Sequence, residues 1–350
     1  MSLLPEIIFD ILLRLPVKPL LRFRCLSKVM FCTIDDSDFI KAHLNRSIET
    51  NTHKKLILVS RRQTFPVLCT LDFDDGMKER VKLDDPLNHS HRWWAYRVLG
   101  CCNGLILLYV DIIKKLILWN PFTKRHKILK AHANESLRRY DGFGLGYDAA
   151  SNDYRIVVVP YKMPKEVWIY SLRCNSWKKV DGIWFELHLC DLGMFVNGVL
   201  YFGGKYLDKI VAFDITTETF CTYPLPQTSR FSNNLCVLEG KLCFYTCTRN
   251  GTIEIYVGDK QEDGLTWSKL TTIRSNSILC ETPLFYSREG NKVLVFEEDN
   301  NVVWCDLNEN GIERVKTVND IKKHYQVICF NYSSTTCWES LVSLGHDSRN

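Results

Sequence analysis

Two regimes of apolar spacing divide this chain. Over the first fifty residues, apolar positions recur at helical intervals: Ile7, Ile8, Ile11, Leu12 and Leu15 make one broad stripe. Pro5 and Glu6 suit the start of that helix, and Pro16 ends it. A second helix is predicted from Pro19, with Leu20, Phe23, Leu26 and Met30 on one face and Arg22, Arg24 and Lys28 elsewhere. A third is predicted from a Ser37-Asp38 cap through Phe39 to Leu44. Three short helices within residues 1–45 bury little core alone, so Leu3, Leu4, Ile8 and Leu12 are more apolar surface than the unit can hide. Docking to a partner is the physical expectation.

From about Leu56 the period shortens to that of strands. Hairpin-turn pairs stand at Asn103-Gly104, Ser151-Asn152, Asn197-Gly198, Glu239-Gly240, Glu289-Gly290 and Ser333-Ser334, 42 to 50 residues apart. Each of the first five is followed by a second hairpin: Leu116–Leu129, Val167–Val180, Ile210–Leu225, Ile253–Ile273 and Val302–Val318. A repeat in the mid-forties is one four-stranded blade of a β-propeller. Leu56–Phe73 and Val327–Leu344 are left over at the two ends. Joined, they predict a sixth blade that closes the ring without exposed strand edges. The expected architecture is a small all-α unit of three helices, residues 1–45, before an all-β six-bladed propeller, residues 55–345.

Composition narrows the function classes. Hydrophobic residues at 46% and charged residues at 24% exclude a disordered chain, and 12% aromatics fit β-rich packing. Forty-five basic residues against 40 acidic leave a dispersed +5, which argues against a nucleic-acid partner. The longest apolar stretch, Leu105 to Ile113, is interrupted by Asp111 and too short for a membrane span. Met1 to Glu6 lacks the opening of a secretory signal, and 15 cysteines, an odd number, suit reduced thiols. Cytoplasm and nucleus are therefore the expected compartments.

Candidate chemistry is sparse. Gly142-Phe143-Gly144-Leu145-Gly146 lacks phosphate-loop spacing and reads instead as small residues where strands crowd. His89-Ser90-His91 has no further ligands at zinc-site spacing. Cys101-Cys102 and the Cys243/Cys247 pair read as buried thiols, and no nucleophile elbow or H-E-x-x-H is present. No catalytic residue, metal or cofactor is expected. Trp93-Trp94 is the exception, because paired aromatics in the loop Asp84–Tyr96 can anchor a partner. Lys130–Asp141, Lys162–Glu166 and Gln227–Asn234 are the other candidate recognition loops.

Two resemblances cover nearly the whole chain. Leu4-Pro5-Glu6-Ile7-Ile8, Asp10-Ile11-Leu12, Arg14-Leu15-Pro16-Val17, Leu20 to Lys28 and Asp38-Phe39 resemble the plant F-box motif, with Met30 where that family usually has Trp. Gly100 to Leu105 with Leu118-Trp119-Asn120-Pro121, then Phe143 to Asp148, Tyr170-Ser171-Leu172, Phe195 to Tyr201, Trp267 to Leu270 and Pro283 to Ser287, resemble plant F-box-associated, kelch-like domains of the immune-regulator and S-locus type. The resemblance implies a substrate-recognition subunit of an SCF ubiquitin ligase. Its F-box would dock a Skp-type adaptor, and through it a cullin, by Leu4, Pro5, Ile8, Leu12, Leu15, Pro16, Leu20 and Leu26. Its propeller would bind a protein destined for ubiquitination and proteasomal degradation. A propeller enzyme with a channel site is the alternative, but the sequence shows no convergent acid, base or ligand set for it. A non-degradative decoy that only docks the adaptor stays open.

Overall fold

Four helices, rather than the expected three, open the chain: α1 (Pro5–Leu13), α2 (Val17–Phe23), α3 (Lys28–Asp35) and α4 (Ser37–Glu49). The predicted second helix is split by Ser27, whose hydroxyl accepts from the Met30 N–H at 3.1 Å and so starts a new helix. Asp36, not the expected Ser37-Asp38 pair, caps α4, its carboxylate accepting from the N–H groups of Asp38 and Phe39. Leu12, Val17, Leu20, Ile34 and Phe39 form the interior, with Met30 partly buried against them. The residue that stands for the family's Trp thus faces inward, as an adaptable gap-filler.

The computed structural model describes residues 5–59, 68–72, 80–87, 96–110, 113–130, 141–160, 166–182, 192–203, 209–226, 233–247, 252–261, 264–274, 282–287, 290–296, 302–307, 312–314 and 336–345. Beyond the helices the domain is mostly β and propeller-like. Three four-stranded antiparallel sheets are continuous in sequence order. They comprise Tyr96–Cys102, Leu105–Val110, Lys115–Asn120 and Arg125–Ile128; Asn233–Leu238, Lys241–Cys247, Thr252–Gln261 and Gly264–Arg274; and Thr282–Tyr286, Lys292–Phe296, Val302–Asp306 and Ile312–Arg314. Between the first two of these lies an eight-stranded sheet. It joins one four-strand set, Gly142–Asp148 to Ser176–Asp181, to a second, Leu192–Val196 to Thr219–Pro224. The turn chemistry follows the sequence pattern: Asn103-Gly104, Asn197-Gly198 and Glu239-Gly240 all adopt positive φ, as two-residue hairpins with primed turns require.

Parallel pairing of Gly142–Asp148 with Leu192–Val196 fuses the eight strands. Glycine makes that approach possible. A Cβ on Gly144 would lie 2.7 Å from Leu200 Cδ1, and one on Gly146 2.2 Å from Ile215 Cδ1. The Gly-rich run is therefore a packing device.

The closing sheet draws strands from both ends of the chain. Among the described residues its order is Thr336–Trp338, Lys54–Val59, Leu68–Asp72, Arg80–Lys82, with one strand from the C-terminal side and three from the N-terminal side. The sequence predicted one hairpin from each end, and residues 327–335 of the C-terminal one, Val327–Leu344, lie outside the described residues. After Trp338 the chain leaves the sheet as a buried strap, Glu339 to Leu344. Asn120 explains why: its fully buried amide donates to the Ser340 and Val342 carbonyls at 2.9 and 3.0 Å. Those acceptors are thereby taken from any strand partner. The predicted turn at Ser333-Ser334 lies outside the described residues.

The same strap holds the helices. Leu341 enters their interior, Glu339 accepts from the Val17 N–H at 3.0 Å, and Lys55 pairs with Glu339 at 3.2 Å. Phe122, on the turn after Asn120, packs against the same cluster.

Candidate functional site

Large apolar side chains on the helical unit remain in solvent. Phe23, Leu26, Val29 and Phe31 surround the α2–α3 junction, with Leu26 70% and Val29 73% exposed. Ile7 and Ile11 add to this from the outer side of α1. The arrangement follows from the split at Ser27. Once α3 starts there, Met30 and Ile34 turn inward and Val29 and Phe31 turn outward. Arg24 fixes part of the group, its guanidinium 4.7 Å over the Phe31 ring and paired with Asp35 at 2.5 Å. An exposed apolar group of this size on a soluble fold marks an interaction site.

The sequence-predicted adaptor residues divide. Leu26 and Pro5 are exposed; Ile8, Leu15 and Pro16 are partly covered. Leu12 and Leu20, at 3% and 0% exposure, are interior residues that support the face without forming it. Leu4 lies outside the described residues. Val29 and Phe31 were missed because a helix running through Ser27 would have placed them off its apolar face, and Phe23 was read on that face as core rather than as docking surface. The cap signal at Ser27 was the clue.

Trp93 and Trp94, and the His89-Ser90-His91 pair, lie outside the described residues. Their flanks are ordered by Asp85, which accepts from the Leu87 N–H at 2.9 Å and from the buried Tyr96 hydroxyl. Connectivity gives the strand ends from which the candidate recognition loops leave. The turns at Asn103, Asn152 and Asn175 sit beside α4, and Phe122 sits against the helical interior. These are first-to-second and third-to-fourth strand turns. Antiparallel alternation therefore makes Asp84–Tyr96, Lys130–Asp141, Lys162–Glu166 and Gln227–Asn234 leave from the opposite strand ends.

Polar chemistry within the described residues is structural. No group of three or more His, Cys, Asp or Glu stands at metal-binding distance among them. Burial pushes the Cys102 and Cys337 thiols well above the usual range, and a hydrogen bond with Cys243 together with burial does the same for Cys236, away from nucleophilic character. Arg155, paired with Asp148 of its own four-strand set at 2.9 Å, ties that set to the next through Glu218 at 2.5 Å and the Ile215 carbonyl at 3.2 Å. No described helix is long and apolar enough to cross a membrane.

Serial four-stranded units, with one strand of the closing sheet drawn from the far end of the chain, define a β-propeller-type domain behind a helical unit with an apolar outer face. Residues 55–344 match the F-box associated beta propeller domain, and the chain belongs to that family, as a plant F-box protein of the F-box-associated type. Among its relatives in Arabidopsis thaliana, F-box protein CPR1 is 28% identical over 354 residues, spanning 89% of this chain and 83% of that protein. F-box protein At4g22390 is 27% identical over 353 residues, spanning 88% and 84%. F-box/kelch-repeat protein At3g23880 is 26% identical over 290 residues, spanning 77% and 78%.

Proposed function

We propose that this chain is the substrate-recognition subunit of an SCF-type ubiquitin ligase. The F-box, residues 1–45, docks a Skp-type adaptor. The domain of residues 55–345 is a six-bladed propeller, the eight-stranded sheet counting as two blades, and it captures a protein for ubiquitination and proteasomal degradation in cytoplasm and nucleus. Proteins of the F-box class are generally non-catalytic adaptors, and this chain acts by proximity: it holds its target at high effective concentration near an E2 enzyme carried elsewhere in the complex.

The observation that carries the reading is the exposed apolar group Phe23, Leu26, Val29 and Phe31 on a unit strapped to the β domain. A face held in fixed relation to the propeller suits a ligase that must present its target at one place. The recognition loops, Trp93-Trp94 included, leave from strand ends opposite the helix-side turns, so both partners fit at once. Affinity purification of the full chain under a neddylation inhibitor, followed by mass spectrometry, tests this. Skp-type adaptor and cullin are expected in wild type, with adaptor recovery lost in Leu26→Asp/Val29→Asp. Equal recovery from the folded double variant contradicts the assignment.

A further inference from the structure

A cavity of about 840 Å³ lies in the seam between α4 and the β domain. That volume falls within the roughly 300–1,000 Å³ of small-molecule sites, which favour the junctions between structural units. Its walls come from six separate parts of the chain. Ile40 and Leu44 belong to α4, Leu172 to a third-to-fourth strand turn, and Val342 to the buried strap. Tyr147 and Tyr154 add aromatic surface, their rings 4.9 Å apart and tilted.

The polar groups in this cavity are biased towards donors. Lys41, Lys127 and Arg173 line it, against a single carboxylate, Asp153. That carboxylate is already engaged, accepting from the Ser171 hydroxyl at 2.5 Å and the Arg173 N–H at 2.8 Å. The oxygens of two of the four lining asparagines are taken too. Tyr147 donates to Asn152 Oδ1 at 2.5 Å, and Tyr170 donates to Asn175 Oδ1 at 2.6 Å. With the oxygen of each amide occupied, Nδ2 is the atom it can offer a ligand. Arg173 gives one bond to the Ser151 carbonyl at 3.0 Å, and a guanidinium has five N–H donors in all. Asn152 and Asn175 are held in positive-φ turns, so the donors are placed before any ligand arrives.

We propose that this seam binds an organic anion: an apolar ring or chain against Ile40, Leu44 and the two tyrosines, with a carboxylate or phosphate held by Arg173, Lys127 and Lys41. Both head groups suit charge-assisted hydrogen bonds from Arg and Lys. Because α4 supplies one wall and the β domain another, the ligand would bridge the two units and raise their joint stability. The proposal does not depend on adaptor docking.

Isothermal titration of the full chain with 2-naphthoate and 2-naphthyl phosphate tests it, with neutral 2-naphthol as control. Saturable one-per-chain binding of at least one anion is expected, with the melting temperature raised by the same compound. Binding of only one anion names the head group. The variant Lys127→Gln/Arg173→Gln should weaken that binding by about tenfold or more. If that variant melts early, Lys41→Gln on the exposed side of α4 replaces it, with the same direction of effect expected. The proposal is overturned if neither anion binds saturably, if 2-naphthol binds as tightly, or if the folded variant binds like wild type.

Discussion

His43 shows how one side chain ties stability to acidity. Its ring is buried, Nε2 donates to the Leu15 carbonyl at 2.8 Å, and it stacks on Phe39 and His53. Burial lowers its pKa below the ordinary 6.5, and the His53 charge acts the same way, while the Leu15 carbonyl and Glu339 pull it up less strongly. The folded chain thus holds His43 neutral, whereas the unfolded chain takes up a proton below about pH 6.5. The stability involved is present above that pH and lost as pH falls. Asp148 acts in the same direction at lower pH. Burial alone would raise its pKa, but hydrogen bonds from Ser151, Thr216 and Ala150 and the charge of Arg155 outweigh this and lower it. Melting temperature should therefore fall between about pH 7 and 5, and His43→Gln, which can keep the Leu15 bond, should flatten that slope. An unchanged slope in the variant would place the dependence elsewhere. At Gly146 the constraint is steric. Gly146→Ala should cost about 1–3 kcal/mol by chemical denaturation, because its Cβ would meet Ile215 and Phe195 at 2.2 and 2.6 Å.

At the scale of elements, the strap and its anchor carry the most testable claim. Asn120 donates to the Ser340 and Val342 carbonyls and accepts from the N–H groups of Phe122 and Thr123 at 3.0 and 3.2 Å. Truncating it leaves buried backbone groups without partners, so Asn120→Ala should lose more than about 2 kcal/mol. Limited proteolysis should then cut the helical unit and the strap earlier than in wild type. A variant with wild-type melting and digestion would show that the strap is held otherwise. The same segment shows where sequence reading works and where it stops. Hairpins were legible because Asn-Gly and Glu-Gly pairs meet a local need for positive φ, and five second hairpins fell where the polar turns put them. Leu341, Val342 and Leu344 read as strand, yet their fate is set by a side chain 220 residues away in sequence. The short strand Arg80–Lys82 follows the turn pair Asp75-Gly76, which the reading of the N-terminal hairpin as Leu56–Phe73 left unused. The candidate face was half legible: its existence followed from apolar excess, but its members turned on one capping serine.

For the whole molecule, closure and docking are one question, because the strap that follows the closing strand also holds the helices. A chain ending at residue 335 loses the partner of Lys54–Leu56 and the strap together. Exposed strand edge and apolar surface should make it aggregate. A soluble fragment that unfolds cooperatively would show the closing strand to be dispensable. The central claim, that the helical face docks an adaptor while the opposite strand ends stay available, is read most directly by hydrogen exchange. The full chain would be measured alone and with a purified Skp-type adaptor. Amide protection is expected over residues 5–13 and 23–31, with exchange at the ends of the recognition loops unchanged. Protection confined to the β domain, or none on the helical unit, would contradict the account.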